Sequence, residues 1–174
     1  GGELVGIGHE ALRDNTTGNN NTACGYQAGK ENTSGTYNTS LGNKALFNNL
    51  TASYNVAVGS GALYLGVAGL NTALGHNALH NCSSGSGNTA IGTDAGNGLT
   101  SASQCIYIGY DCPDSGTTNA EVQMWNGSKL ARYQGSDTSW AFSSDGRDKT
   151  NVEDLPFGLN LINKLKPRKF TWEP

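Results

Sequence analysis

Between residues 4 and 113 small, apolar and polar positions recur in one nine-residue pattern. The copies are LVGIGHEAL (4–12), NTACGYQAG (21–29), NTSLGNKAL (38–46), NVAVGSGAL (55–63), NTALGHNAL (71–79), NTAIGTDAG (88–96) and a worn CIYIGYDCP (105–113). Their central glycines are Gly8, Gly25, Gly42, Gly59, Gly75, Gly92 and Gly109, so the step is 17 residues, except for one of 16 between Gly59 and Gly75. A fixed step of this size is the signature of a repeat architecture. Alanine usually stands two before the glycine (Ala23, Ala57, Ala73, Ala90) and three after it (Ala11, Ala28, Ala45, Ala62, Ala78, Ala95). Small residues at fixed slots predict close approach of neighbouring backbones. The larger apolar groups are the aliphatic just before the glycine (Ile7, Leu41, Val58, Leu74, Ile91, Ile108) and the leucine four after it (Leu12, Leu46, Leu63, Leu79). Both sets are expected to form the interior. A second Gly or Ala ten after the first (Gly18, Gly35, Ala52, Gly69, Gly85, Ala102) predicts strand, glycine corner, strand, second corner and return. That is one coil of an all-β parallel β-solenoid or β-roll. Helix is disfavoured because Gly and Asn recur inside the segments.

One such coil has about three modest apolar side chains, worth roughly 1.5 to 3 kcal/mol each on burial, against an ordering cost of roughly 1 kcal/mol or more per residue. Stacking alone is marginal, so several chains are expected to share one axis. The repeats over 4–113 resemble those of trimeric autotransporter adhesin heads and viral tail-fibre shafts. The resemblance implies a homotrimer, intertwined or side by side, whose shaft serves attachment. The step of 17 is longer than that of the adhesin heads, which leaves the coil shape open.

Composition agrees with an ordered polar solenoid: hydrophobic residues are 36%, charged residues 14%, and Gly supplies 25 of 174 positions. Such low charge is unlike disordered sequence. A net charge of −3, with only Arg13, Lys30 and Lys44 as Lys or Arg before residue 120, predicts no nucleic-acid partner. The longest apolar window, 56–70, is interrupted by glycine, so no membrane insertion is expected. Because the chain opens on Gly-Gly, it is expected to be a piece of a longer one. Cys24 and Cys112 fall in repeat slots and are expected to be small buried hydrophobes, with Cys82 and Cys105 left open. No CxxC or His-rich spacing supports a metal site, and no cofactor is expected. His9 and His76 share a slot beside the glycine, read as surface corners.

The Asn and Thr that open each copy (Asn21, Asn38, Asn55, Asn71, Asn88; Thr22, Thr39, Thr72, Thr89) are expected to stack as ladders that satisfy corner backbone groups. An ice-binding or glycan-binding array is the sharper alternative. N-x-S/T triplets begin at Asn15, Asn20, Asn32, Asn38, Asn49, Asn81 and Asn126, as a chain rich in these residues produces by composition. Glu10, Asp94 and Asp111 share a slot held elsewhere by Gln, Lys, Gly and Asn, so a glycosidase pair would need carboxylates from different subunits.

Near residue 114 the character changes. All three Trp (Trp125, Trp140, Trp172) and 15 of 25 charged residues lie in the last 55. The boundaries expected are a shaft over 1–113, a cap over 114–143 and a third segment over 144–174. Asn126-Gly127 predicts a hairpin, and with Trp125, Tyr133, Trp140 and Phe142 a small β-meander covering the last coil. In 144–174, Leu155, Leu159, Ile162 and Leu165 fall at helical spacing between Asp154-Pro156 and Pro167, predicting a short amphipathic helix.

Ser144, Asp145, Arg147, Lys149, Leu159, Ile162, Leu165, Pro167, Phe170 and Trp172 match the opening pattern of the self-cleaving intramolecular chaperones of endosialidase-type phage tail spikes and fibres, which this segment closely resembles. The resemblance implies a catalytic dyad of Ser144 as nucleophile and Lys149 as base, with Asp145 and Arg147 supporting the turn. Cleavage would occur once per chain, before or after Ser144. That family continues past the aromatic strand, so the chaperone is expected to be truncated here. The function expected is a viral or phage fibre on the virion, extracellular, binding a host-surface glycan or receptor. A polysaccharide-degrading tail spike, a cellular trimeric adhesin and an ice-binding solenoid are the alternatives.

Overall fold

The computed structural model describes residues 2–112, 119–133 and 141–142, with only the backbone of 141 and 142. The chain divides into two units, 1–143 and 144–174, and all described residues lie in the first. Ten strands form one sheet in sequence order: β1 (Leu4–Ile7), β2 (Asn21–Cys24), β3 (Thr39–Leu41), β4 (Val56–Val58), β5 (Thr72–Leu74), β6 (Thr89–Ile91), β7 (Ile106–Gly109), β8 (Val122–Trp125), β9 (Leu130–Tyr133) and β10 (Ala141–Phe142). β1 to β8 are parallel, each displaced by one repeat: Thr22 pairs with Thr39, Thr39 with Val56, Val56 with Thr72. The chain is thus an all-β parallel β-solenoid with coils about 17 residues long, and its described part contains no helix. After β8 the chain reverses into antiparallel β9 and β10. The turn is the expected Asn-Gly pair, where Asn126 Oδ1 accepts from Ser128 N (3.1 Å) and Lys129 N (2.8 Å).

The glycine beat follows from the closeness of the coils. At Gly75 φ is +140°, and an added Cβ would lie within 2.3 Å of the Gly92 carbonyl oxygen. Three further slots are left-handed although they hold side chains: the residue two after the glycine (Glu10, Gln27, Lys44, Asn77, Asp94, Asp111, φ 48° to 56°), the leucine four after it (Leu12, Leu46, Leu63, Leu79, φ 48° to 52°) and the residue before the Asn (Tyr37, Tyr54, Leu70, φ 57° to 65°). The segment after each glycine is therefore turn, where a second strand was expected from the sequence. Each coil contributes one strand.

The interior also differs from expectation. From the second coil on, alanines at both slots are fully buried, with Leu46, Leu63, Leu79 and Leu99, while Ala11 and Leu12 in the first coil are half-buried. The aliphatic before the glycine faces outward: Ile7 is 60% exposed, Leu74 47% and Ile91 40%. Strand alternation is the reason, since the buried Ala73 fixes Leu74 on the opposite face. Cys24 occupies that outward slot and is exposed, whereas Cys112, Cys82 and Cys105 are buried.

Asparagine joins the alanines and leucines in the interior. In the inner ladder, each Asn side chain accepts from the backbone N–H of its counterpart one coil on: Asn38 N to Asn21 Oδ1 (2.9 Å), Asn55 N to Asn38 Oδ1 (3.0 Å), Asn71 N to Asn55 Oδ1 (3.0 Å), Asn88 N to Asn71 Oδ1 (2.9 Å). The amide nitrogens donate to corner carbonyls, as Asn88 Nδ2 does to Ala102 O (3.0 Å). A second ladder at the corner runs Asn49 Nδ2 to Asn32 Oδ1 (3.0 Å) and Asn32 Nδ2 to Asn15 Oδ1 (2.7 Å). The inner asparagine ladder is the one expected from the sequence; the threonines beside it stand on the outward face, and the corner ladder was not anticipated. The two ladders bury Asn32, Asn38 and Asn49, which removes three of the N-x-S/T triplets as glycan acceptors.

Candidate functional surface

The outward face of β1–β8 carries three columns of side chains running along the shaft. The aliphatic column is Ile7, Cys24, Leu41, Val58, Leu74, Ile91, Ile108 and Met124, apolar or thiol at every level. Two residues back along each strand stands the mixed column: Val5, Thr22, Thr39, Val56, Thr72, Thr89, Ile106 and Val122. Two further back is the corner column, where Tyr37, Tyr54 and Leu70 are 53%, 57% and 65% exposed. Tyr37 and Tyr54 stack at 5.2 Å between centroids. At the coil of β4, Tyr54, Val56 and Val58 make the outward face wholly free of charge.

A second aromatic stack follows the glycine by five residues. Phe47 and Tyr64 lie 5.2 Å apart and Tyr64 and His80 5.0 Å, while Lys30 Nζ stands 5.3 Å from the Phe47 centroid. His80 Nδ1 is 3.0 Å from the Gly61 carbonyl oxygen. Sequence reasoning passed over both aromatic columns. The signal available was recurrence of Tyr, Phe and His in one slot of adjacent copies. His9 and His76 are exposed, as expected.

Glu10 lies in the first coil, and Asp94 and Asp111 hold one slot in two adjacent coils near the other end of the shaft. Glu10 is tied into the first coils by Arg13 Nη1 (2.8 Å), Gln27 Nε2 (2.6 Å) and Lys30 Nζ (3.1 Å). Hydrogen bonds from Gln27, then Arg13 and Lys30, hold its carboxyl down at about 2 against an ordinary 4.5. Asp94 accepts from Asn97 Nδ2 (3.5 Å), and Asp111 is exposed one coil further on. Glu121 is fully buried where the last inner-ladder position would be, receiving the Tyr107 hydroxyl (3.2 Å) and facing Arg132 Nε (3.8 Å). It belongs to the end of the shaft, with Trp125 packed against the core. Among the described residues no three His, Cys, Asp or Glu side chains cluster as metal ligands, and no helix is long and apolar enough to cross a membrane.

Ser144, Asp145, Arg147 and Lys149 lie outside the described residues, as do the expected helix, Trp140 and the Phe142 side chain. No family model, curated protein or solved structure matches this chain.

Proposed function

We propose that the chain is a segment of an extracellular structural fibre, in which copies associate side by side as a parallel homotrimer through the outward face of the sheet. The observation that supports this is the aliphatic column. Eight parallel strands about 4.8 Å apart span about 34 Å, and three columns about 7 Å apart cover about 14 Å. The strip is on the order of 500 Å² in plan, and more with side-chain relief. That lies in the upper part of the roughly 300–600 Å² of the largest apolar patch on a monomer, a kind of patch that is often functional, and is somewhat more than half the ~800 Å² per partner of a standard interface. A partner able to meet every level must itself repeat at the coil spacing, and a second copy of this chain does. The attachment role, the virion location and a host glycan or receptor as partner belong to the same reading, supported by the shaft repeats and by the likeness of 144–172 to a fibre chaperone.

Light scattering on the purified chain tests the assembly: a mass three times that of the chain is expected, and a well-behaved monomer would refute it. The self-cleavage reading of Ser144 and Lys149 has its own test. Expressed with a complete C-terminal region, the protein should lose that region beside Ser144, and Ser144→Ala and Lys149→Ala should each abolish the loss. Undiminished cleavage in both variants would leave 144–174 a plain cap.

A further inference from the structure

We propose that the mixed column sets the axial register in which copies of this chain pack; the inference rests on the side-by-side assembly above. Parallel copies of a repeat protein face a specific difficulty, because neighbouring coils present almost the same backbone. The aliphatic column cannot resolve it, being apolar from Ile7 to Met124. The mixed column can. It reads Val5, Thr22, Thr39, Val56, Thr72, Thr89, Ile106, Val122, with a β-branched aliphatic at the first, fourth, seventh and eighth levels and threonine between.

In register, the threonine levels of one chain face the threonine levels of the next, and hydroxyls that each hold one donor and acceptor lone pairs can pair across the contact. Val56 and Ile106 then meet only apolar neighbours. A slip of one coil sets Val5 against Thr22, Thr39 against Val56, Val56 against Thr72 and Thr89 against Ile106. A slip of two sets Val5 against Thr39, Thr22 against Val56, Val56 against Thr89, Thr72 against Ile106 and Thr89 against Val122. Each such pair leaves a hydroxyl facing a hydrocarbon in a dry contact, and each unmade hydrogen bond disfavours the slip by roughly tenfold. A slip of three restores the match at Val5 with Val56 and Val56 with Ile106, but it forfeits three coils of overlap. The in-register alignment therefore combines full overlap with full matching. As in sheets generally, the polar and apolar pattern specifies the register that the backbone does not.

Cysteine pairing across the assembled chains tests this, using the exposed Cys24 of the aliphatic column. Two full-length chains are co-expressed, one native and one carrying Cys24→Ser with Leu41→Cys, which moves the thiol one coil along. A disulfide requires Cα atoms within about 7 Å, so mild oxidation reports which levels adjoin. With the native column, Cys24 should pair with Cys24, and pairing with position 41 should be at least tenfold less. When both chains also carry Val56→Thr and Ile106→Thr, a slip of one coil leaves two mismatched levels, at the Val5 and Val122 ends, instead of four, and the 24-to-41 disulfide should rise at least tenfold. Both positions are solvent-facing on the single chain, so its strand content by circular dichroism and its mass by light scattering should be unchanged. Associated chains that pair 24 with 41 in the native column, or give the same yields with and without the two substitutions, would overturn the register proposal while leaving the assembly intact. Monomeric chains without intermolecular disulfides would overturn the assembly and the register proposal together.

Discussion

A buried asparagine in this shaft does the work that a strand hydrogen bond does in a flat sheet. Asn71 makes three such bonds: it accepts from Asn88 N (2.9 Å) and donates to Gly85 O (2.9 Å) and Ala68 O (3.1 Å). Asn55 accepts from Asn71 N, but its Nδ2 has no partner. Each buried polar group left unpaired costs about 1–3 kcal/mol. Asn71→Ala should therefore lower the urea midpoint well below that of Asn55→Ala, with Asn43→Ala on the exposed corner as a neutral reference. Equal effects at 55 and 71 would show that the ladder is not what holds these coils. Much of this was legible in the sequence, because Asn recurs in one slot of five copies. What could not be read there was that residues as large as Tyr54 and Leu63 accept a left-handed backbone, at φ 63° and 48°, because the coil ladder overrides their local preference.

Between coils, packing is settled by volume exchange. In the leucine slot Gly29 and Gly96 are the exceptions, and the missing side chain of Gly96 makes room for Tyr107, which stands one coil on where alanine is usual. An added Cβ at Gly96 would lie 2.9 Å from Tyr107 Cδ2. Gly96→Leu should be strongly destabilising alone, yet cost much less in a Tyr107→Ala background. The backbone there already has φ +59°, close to that of the leucines in this slot. Additive losses in the thermal midpoint would exclude the exchange, since residues that share one space couple in a double-mutant cycle. The 16-residue coil between β4 and β5 is another irregular element. Its corner, 66–70, lacks one residue and carries Gly66 in place of the corner Asn, so Ala68 O is taken by Asn71 and Asn55 Nδ2 goes unpaired. Inserting Thr between Val67 and Ala68 should return that carbonyl to Asn55 and raise the urea midpoint by the equivalent of about 1 kcal/mol. A lower midpoint would mean the short corner is packed as it stands. The step count revealed that a residue was missing. It did not show where, and the second small residue of this coil proves to be Ala68 rather than Gly69, because Leu70 is the counterpart of Tyr54 through its bond to Ser53 O (3.1 Å).

For the molecule as a whole, the sequence pattern identified the solenoid but misassigned one of its two apolar slots, and the physical reason bears on assembly. Periodicity of 17 shows which residues are equivalent, not which side of the strand they occupy; both slots are apolar, so burial was a natural reading for each. On the strands the small residue faces in and the aliphatic one out, an arrangement that close stacking of the coils favours, while the leucines of the turn remain inside. Two neighbouring substitutions separate these roles. Ala73 is fully buried, and Ala73→Asp would place a charge in the interior of the single chain, which should prevent folding and abolish the strand signal in circular dichroism. Leu74 is 47% exposed, so Leu74→Asp should leave the single-chain fold and its strand signal in place. In a trimer packed through this column, however, it would bring three carboxylates to one level of the shared contact. Desolvation and like-charge repulsion should then convert the trimer to monomer at the micromolar concentrations of a light-scattering experiment. If Leu74→Asp leaves the mass unchanged, the aliphatic column is not the interface. If it unfolds the chain outright, the column faces inward after all.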